Sequence, residues 1–270
     1  MLIITYLRNV NSGYSPMKYD DFNHLYRFWQ THFEYCTMNQ SLDPMQSLLQ
    51  QYRQVQNIVI LGGGPSLQTL DLAQLHPTQE CLIICCNQAF QLMPQAQIAH
   101  HSDYQWWKNY QQALDTEFQG QLITGCGLGS NASYPEHIHQ FSTCQNDQLA
   151  SLFQSLRLTY GNNCGLQALA LAHLFQPESI WLAGFDFKAQ EQRSHGYVKY
   201  DHKDMSHYEK FWGFFLKDFS RFERLRHSLW PQHYPERNLP QIYNLNADSA
   251  LKLYPCPVQL PPFLQIKNPA

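Results

Sequence analysis

The stretch Asn57-Ile58-Val59-Ile60-Leu61-Gly62-Gly63-Gly64-Pro65-Ser66-Leu67 constrains this chain more than any other. A short β-branched run ending in glycine suits a buried parallel strand. Glycines at the strand's carboxyl end let the backbone turn sharply and bring peptide N–H groups close to a ligand. Pro65 suits the first position of a helix, where its missing N–H costs nothing. A helix amino terminus behind such a turn favours anions, because unpaired amides and the helix dipole point the same way. The turn (Gly62, Gly63, Gly64, Pro65, Ser66) is therefore read as a nucleotide-phosphate site, against the plainer reading of a tight turn with no ligand. It matches neither a Walker loop, which needs Lys-Ser/Thr after the last glycine, nor a dinucleotide fingerprint, whose third glycine is replaced by Leu67.

At 270 residues and 44% hydrophobic, the chain can bury a substantial core. A net charge of −3 argues against nucleic acid or an anionic membrane as the main partner. No apolar run reaches the ~18 residues of a membrane span, although peripheral membrane contact stays open. The eight cysteines form no C-x-x-C pair, which favours reduced thiols in a cytoplasmic protein over a zinc site. Oligomeric state is not legible.

Taken in order, residues 1–55 read as a strand-helix extension. The expected helices include 19–35, with Phe22, Leu25, Tyr26 and Trp29 at helical spacing, and another over 44–54. Residues 56–255 read as one α/β domain. Its expected strands are 57–61, 81–86, 96–101, 121–124, 179–187 and 241–245. Residues 125–160 lack strand or helix periodicity. Several strands end on polar residues: Asn87-Gln88, Ser102-Asp103, Asp186, and the 246–249 segment. Such carboxyl ends are where ligands sit in open α/β sheets. Tyr160–Gly165 leads into a second strong helix, with Asn162 as its expected N-cap. Strand-helix alternation predicts a mostly parallel sheet with helices on both faces. Residues 188–210 form a polar, lid-like loop, an aromatic helix follows over 208–229, and a Pro-rich tail over 256–270 is expected to wrap the surface.

Four ordered motifs carry a resemblance: Gly-Gly-Gly-Pro-Ser-Leu (62–67), Cys-Asn-Gln-Ala-Phe (86–90), Asn-Asn-Cys-Gly before Ile-Trp-Leu-Ala-Gly-Phe-Asp-Phe (180–187), and Asn-Leu-Asn-Ala-Asp-Ser-Ala-Leu (244–251). Together they resemble the bacterial lipooligosaccharide sialyltransferases. They also resemble a wider Gly-x-Gly-Pro-Ser set that includes phage proteins of unknown function and archaeal hydroxymethylpterin pyrophosphokinases. The resemblance implies a Rossmann-like fold, a GT-A variant, and a metal-independent glycosyltransferase needing no cofactor. Its substrates would be a nucleotide-sugar donor, such as a CMP-sugar, and a glycan acceptor. It places the donor nucleotide on Gly62–Ser66, with Asn87 and Ser102 as further contacts. Asn162, Asn163, Cys164 and Gly165 would meet the cytidine or the sugar carboxylate.

In the same way it makes His207 the base that deprotonates the acceptor hydroxyl, with His202 and His195 as alternatives. Two family tyrosines stabilise the departing phosphate. Here Lys188 stands at the first position and Tyr197 matches the second only approximately. A lysine can still neutralise phosphate charge. No Asp-x-Asp motif stands at a strand end, and a metal on Asp201, His202, Asp204 and His207 is the minor reading. The competing functions are a pyrophosphokinase-like phosphoryl transferase and a non-catalytic, phage-derived nucleotide-binding module.

Overall fold

The structure, a computed structural model, describes residues 44–125, 134–144, 149–159, 163–191, 193–196 and 205–264. The chain divides into two compact units, Met1–Ser47 and Leu48–Ala270. The helix expected over 19–35 lies outside the described residues.

The short apolar runs form strands where expected: β1 (Asn57–Leu61), β2 (Cys81–Cys86), β3 (Ile98–His101) and β4 (Gln121–Thr124). Three brief strands follow inside the stretch without visible periodicity: β5 (Ile138–Gln140), β6 (Thr143–Cys144) and β7 (Leu158–Thr159). β8 (Ser179–Ala183) and β9 (Gln241–Asn244) complete the set. β6 and β7 pair only with each other. The other seven make one sheet, parallel throughout, in the order β5-β4-β3-β2-β1-β8-β9. This is the parallel α/β sheet anticipated from the alternation and the Rossmann-like fold implied by the resemblance.

The described helices are α1 (Pro44–Gln51), α2 (Ala89–Leu92), α3 (Tyr104–Glu117), α4 (Ala150–Ser155), α5 (Cys164–Leu174) and α6 (Met205–His233). Period-2 alternation divides the strand side chains between two cores. Val59, Leu61, Ile83, Cys85 and Ala99 pack with Trp106, Trp107 and Leu114 of α3 on one face. On the other face α5 lies over the central strands, and its His173 ring meets Phe222 and Trp230 of α6 at 5.2 and 5.9 Å. With sheet below and helix above, every residue of α5 is buried. That double cover explains why its sequence is apolar all round.

The tail does not merely wrap the surface. Leu264 is buried in the α3-side core, and the Phe263 ring meets Trp181 of β8 edge-on at 6.1 Å.

Candidate functional site

From β1 the chain builds outward through β2, β3, β4 and β5, then returns to add β8 and β9 on β1's other side. The strand order therefore reverses between β1 and β8. Ligands of open α/β sheets sit in the crevice outside the carboxyl ends at such a point. The glycine turn stands there.

The turn does not present the bare amides read from the sequence. The Gly62 N–H donates to Ala183 O and the Gly64 N–H to Gly184 O, each at 2.7 Å, extending the β1–β8 pairing beyond both strands. The Ser66 N–H donates to the Asp186 carboxylate at 2.7 Å, and the Ser66 hydroxyl donates to its other oxygen. Pro65 has no N–H to offer. Of these turn amides only that of Gly63 lacks a partner among the described residues. The segment Pro65–Thr69 is moreover a single 3-10 turn rather than a full helix, so it adds little dipole.

The glycines serve a different end. A Cβ on Gly62 would lie 2.7 Å from Gly184 O, and one on Gly64 would lie 2.5 Å from Asp186 Oδ2. Their absence lets the β1 and β8 tips close on each other. Asp186 also accepts from Asn246 Nδ2 at 2.8 Å, so one buried carboxylate ties together the tips of β1, β8 and β9. Asp186 was expected to meet the donor; the structure makes it the clasp of the turn. Sequence reading noted Asn246 at a strand end but had no signal for its partner.

Beside the turn stand the end of β2 and the start of α5. Asn87 follows β2 with φ 51°, a left-handed conformation that asparagine tolerates better than most residues. Its N–H donates to His100 O at 3.0 Å, while its buried Oδ1 has no partner among the described residues. The Cys164 thiol, at the start of α5, donates to the same carbonyl at 3.2 Å. The first turn of α5 is thereby fixed beside Asn87. A hydrogen bond with the adjoining Cys164 thiol, together with burial, holds the Cys86 thiol well above its usual range, so it stays protonated. The cap of α5 is Asn163, whose side chain accepts from the Leu166 N–H at 2.9 Å, not Asn162, which lies outside the described residues. A Cβ on Gly165 would meet the Phe185 ring at 2.6 Å, so that glycine is required for packing.

Two further residues expected to meet the donor are engaged within the fold. The Gln88 amide is buried and used at both ends, donating to the Tyr110 hydroxyl and accepting from Trp106 Nε1, each at 2.8 Å. Asp103 caps α3, accepting from the Gln105 and Trp106 amides at 2.8 and 3.3 Å. Ser102, half-buried just beyond β3, remains at the rim.

The base of the lid-like loop reaches the turn. The Gly196 N–H donates to Gly63 O at 2.9 Å, and Gln68 Nε2 donates back to Gly196 O at 2.6 Å. This latch had no signature in the sequence. One residue earlier, the His195 ring meets Tyr208 of α6 edge-on at 5.3 Å, which brings the first turn of α6, where His207 sits, toward the glycine turn. Tyr197, Asp201, His202, Asp204 and the His207 side chain lie outside the described residues. Lys188, just past β8, pairs with the exposed Asp248 beyond β9, and the lysine beside it holds the Asp248 carboxyl below its usual range. Among the described residues no three His, Cys, Asp or Glu side chains group as metal ligands.

Fold and crevice together define a Rossmann-like α/β protein whose open polar groups cluster at the tips of β1 and β2. The profile of the 6-hydroxymethylpterin diphosphokinase MptE-like family matches residues 30–192, and the chain belongs to that family. Among solved structures, the sialyltransferase CstII from Campylobacter jejuni with cytidine-5'-monophosphate is 17% identical, aligned over 79% of this chain and 90% of that one, with a TM-score of 0.46. The monofunctional α-2,3-sialyltransferase Cst-I from Campylobacter jejuni is 17% identical over 80% and 86%, with a TM-score of 0.44. Likenesses this distant say nothing of what this chain binds. No curated protein sequence matches.

Proposed function

We propose that this chain is a nucleotide-dependent transferase, and specifically a glycosyltransferase that takes a sugar from a nucleotide-activated, CMP-type donor without a metal. The observation that carries the reading is the small number of open groups in the crevice. Among the described residues one turn amide (Gly63) and one acceptor (Asn87 Oδ1) have no partner. An acceptor oxygen suits a ribose hydroxyl or a base amino group, and a lone amide suits one phosphate. A triphosphate donor for phosphoryl transfer calls for a run of amides and magnesium ligands, and here three turn amides are already taken.

In this reading His207 accepts the proton of the acceptor hydroxyl, with His195 and His202 as alternatives. Lys188 and Tyr197 stabilise the phosphate as the anomeric bond breaks. Ser102 and the first turn of α5 complete the donor contacts. The second reading, a pterin diphosphokinase, is favoured by the family match itself.

Isothermal titration with CMP, CDP, UDP, GDP and ATP, each with EDTA and with magnesium, separates them. Binding of a mono- or diphosphate nucleotide in EDTA is expected. Magnesium-dependent binding of ATP alone would replace the first reading by the second, and binding of none would remove both. Any measured donor turnover disposes of the non-catalytic alternative. His207→Ala is expected to lower transfer at least ~100-fold while donor affinity stays within about threefold. Equal losses in both would mean that His207 only holds the structure.

A further inference from the structure

α6 carries, from Lys210 to Arg224, an exposed face that the site does not use. Lys210, Phe214, Lys217, Arg221 and Arg224 recur at i, i+4, i+7, i+11 and i+14, which sets them on one stripe of the helix. At 1.5 Å per residue the stripe runs roughly 21 Å. All five are exposed, Phe214 at 50%, and Phe211 beside it at 37%. A Cβ on Gly213, next to the stripe, would meet nothing within 4 Å, so this side of the helix faces open solvent. None of the four cations forms an ion pair among the described residues. The Lys217 ammonium lies 5.9 Å from the Phe214 ring centre, which holds a cation and an aromatic ring at one spot.

Four cations in a line, without ion pairs among the described residues, on a chain whose net charge is −3, form a local field rather than a general one. A half-exposed phenylalanine in their midst is unfavourable in water and has no role on a purely polar partner. Cations flanking an aromatic side chain on one face of a helix match the interface of an anionic bilayer. Lysine and arginine meet lipid phosphates there, and the ring enters the boundary of the acyl chains.

We infer that the Lys210–Arg224 face of α6 docks on an anionic lipid surface. Docking is peripheral: no helix of the described residues is long and apolar enough to cross a membrane. It does not depend on which group the crevice transfers. A second copy of the chain or an acidic protein segment are the rival occupants.

The full-length protein is sedimented with vesicles of phosphatidylcholine alone and with vesicles in which about a third is phosphatidylglycerol. Binding at least ~10-fold tighter to the anionic vesicles is expected, weakening steeply with salt. The double variant Lys217→Glu/Arg221→Glu is expected to lose at least ~10-fold, and Phe214→Ala several-fold, with far-ultraviolet circular dichroism unchanged. Binding to neither vesicle, equal binding to both, or full binding by the double variant would overturn the inference. So would concentration-dependent self-association, seen by sedimentation velocity, that the same variant abolishes.

Discussion

Lowering the pH from 7 to 5 is expected to cost this protein roughly 6 kcal/mol of stability, about 2 kcal/mol for each of three buried histidines. His100, His101 and His173 all lie within the core. In each, one ring nitrogen has a polar neighbour, and burial removes the ring from water. His100 Nε2 donates to Gln167 Oε1 at 3.1 Å and leaves Nδ1 without a partner. His101 Nδ1 faces the Thr124 hydroxyl at 3.4 Å and leaves Nε2. His173 Nδ1 donates to Leu169 O at 2.7 Å and leaves Nε2. Protonating any of them would bury a charge away from water, a cost that the backbone acceptors near His100 and His101 offset only in part.

Burial accordingly pulls the three down to about 4, about 3 and about 3. These values lie below the ordinary imidazole value, so the unfolded chain takes up protons first as the pH falls. Stability is intact above about pH 6.5 and drains from there through about pH 4 for His100 and about pH 3 for His101 and His173. Urea unfolding at pH 7, 6 and 5 checks this, and a flat profile would refute it. His173→Phe should remove about a third of the slope, whatever it does to stability at pH 7.

Gly64→Ala is expected to destabilise the fold by about 3 kcal/mol or more and to abolish with it the nucleotide binding proposed above. The new methyl would lie 2.5 Å from Asp186 Oδ2, 2.6 Å from its Cγ and 2.8 Å from Gly184 O. Neither neighbour can yield cheaply. The carboxylate is held by donors from Ser66 and Asn246, and the carbonyl is bonded to Gly64's own N–H. Gly213→Ala is the matched control. It adds the same methyl to an open helical position and should stabilise by about 0.5–1 kcal/mol, because alanine loses less backbone entropy there. Thermal midpoints moving in opposite directions are the expected result. A Gly64→Ala protein as stable as the parent would show that the β1–β8 clasp is loose.

Strand identity was the legible part of the fold. Ile58–Leu61, Leu82–Cys86 and Ile180–Ala183 are buried on both faces of a parallel sheet, so their runs are continuously apolar and can be recognised without a partner. α5 was legible for the same reason. β5, β6 and β7 were not, because strands of two or three residues carry no period, and their pairing depends on distant backbone. Asn87 was legible as a polar residue at a strand tip. Gln88, its neighbour, was misplaced, because nothing local tells which of two adjacent amides turns inward to Trp106 and Tyr110.

By itself the sequence determined that β1 is followed by a glycine turn, and that polar residues gather at the carboxyl ends of the strands, because strand period and glycine conformation are local properties. Only the tertiary structure decided what the turn's amides do. Hydrogen bonding is settled by whichever acceptor arrives in space, and Ala183, Gly184 and Asp186 come from more than a hundred residues away. The same holds for charge: the total is visible in the sequence, but its alignment along one exposed helix face appears only once the opposite face is buried.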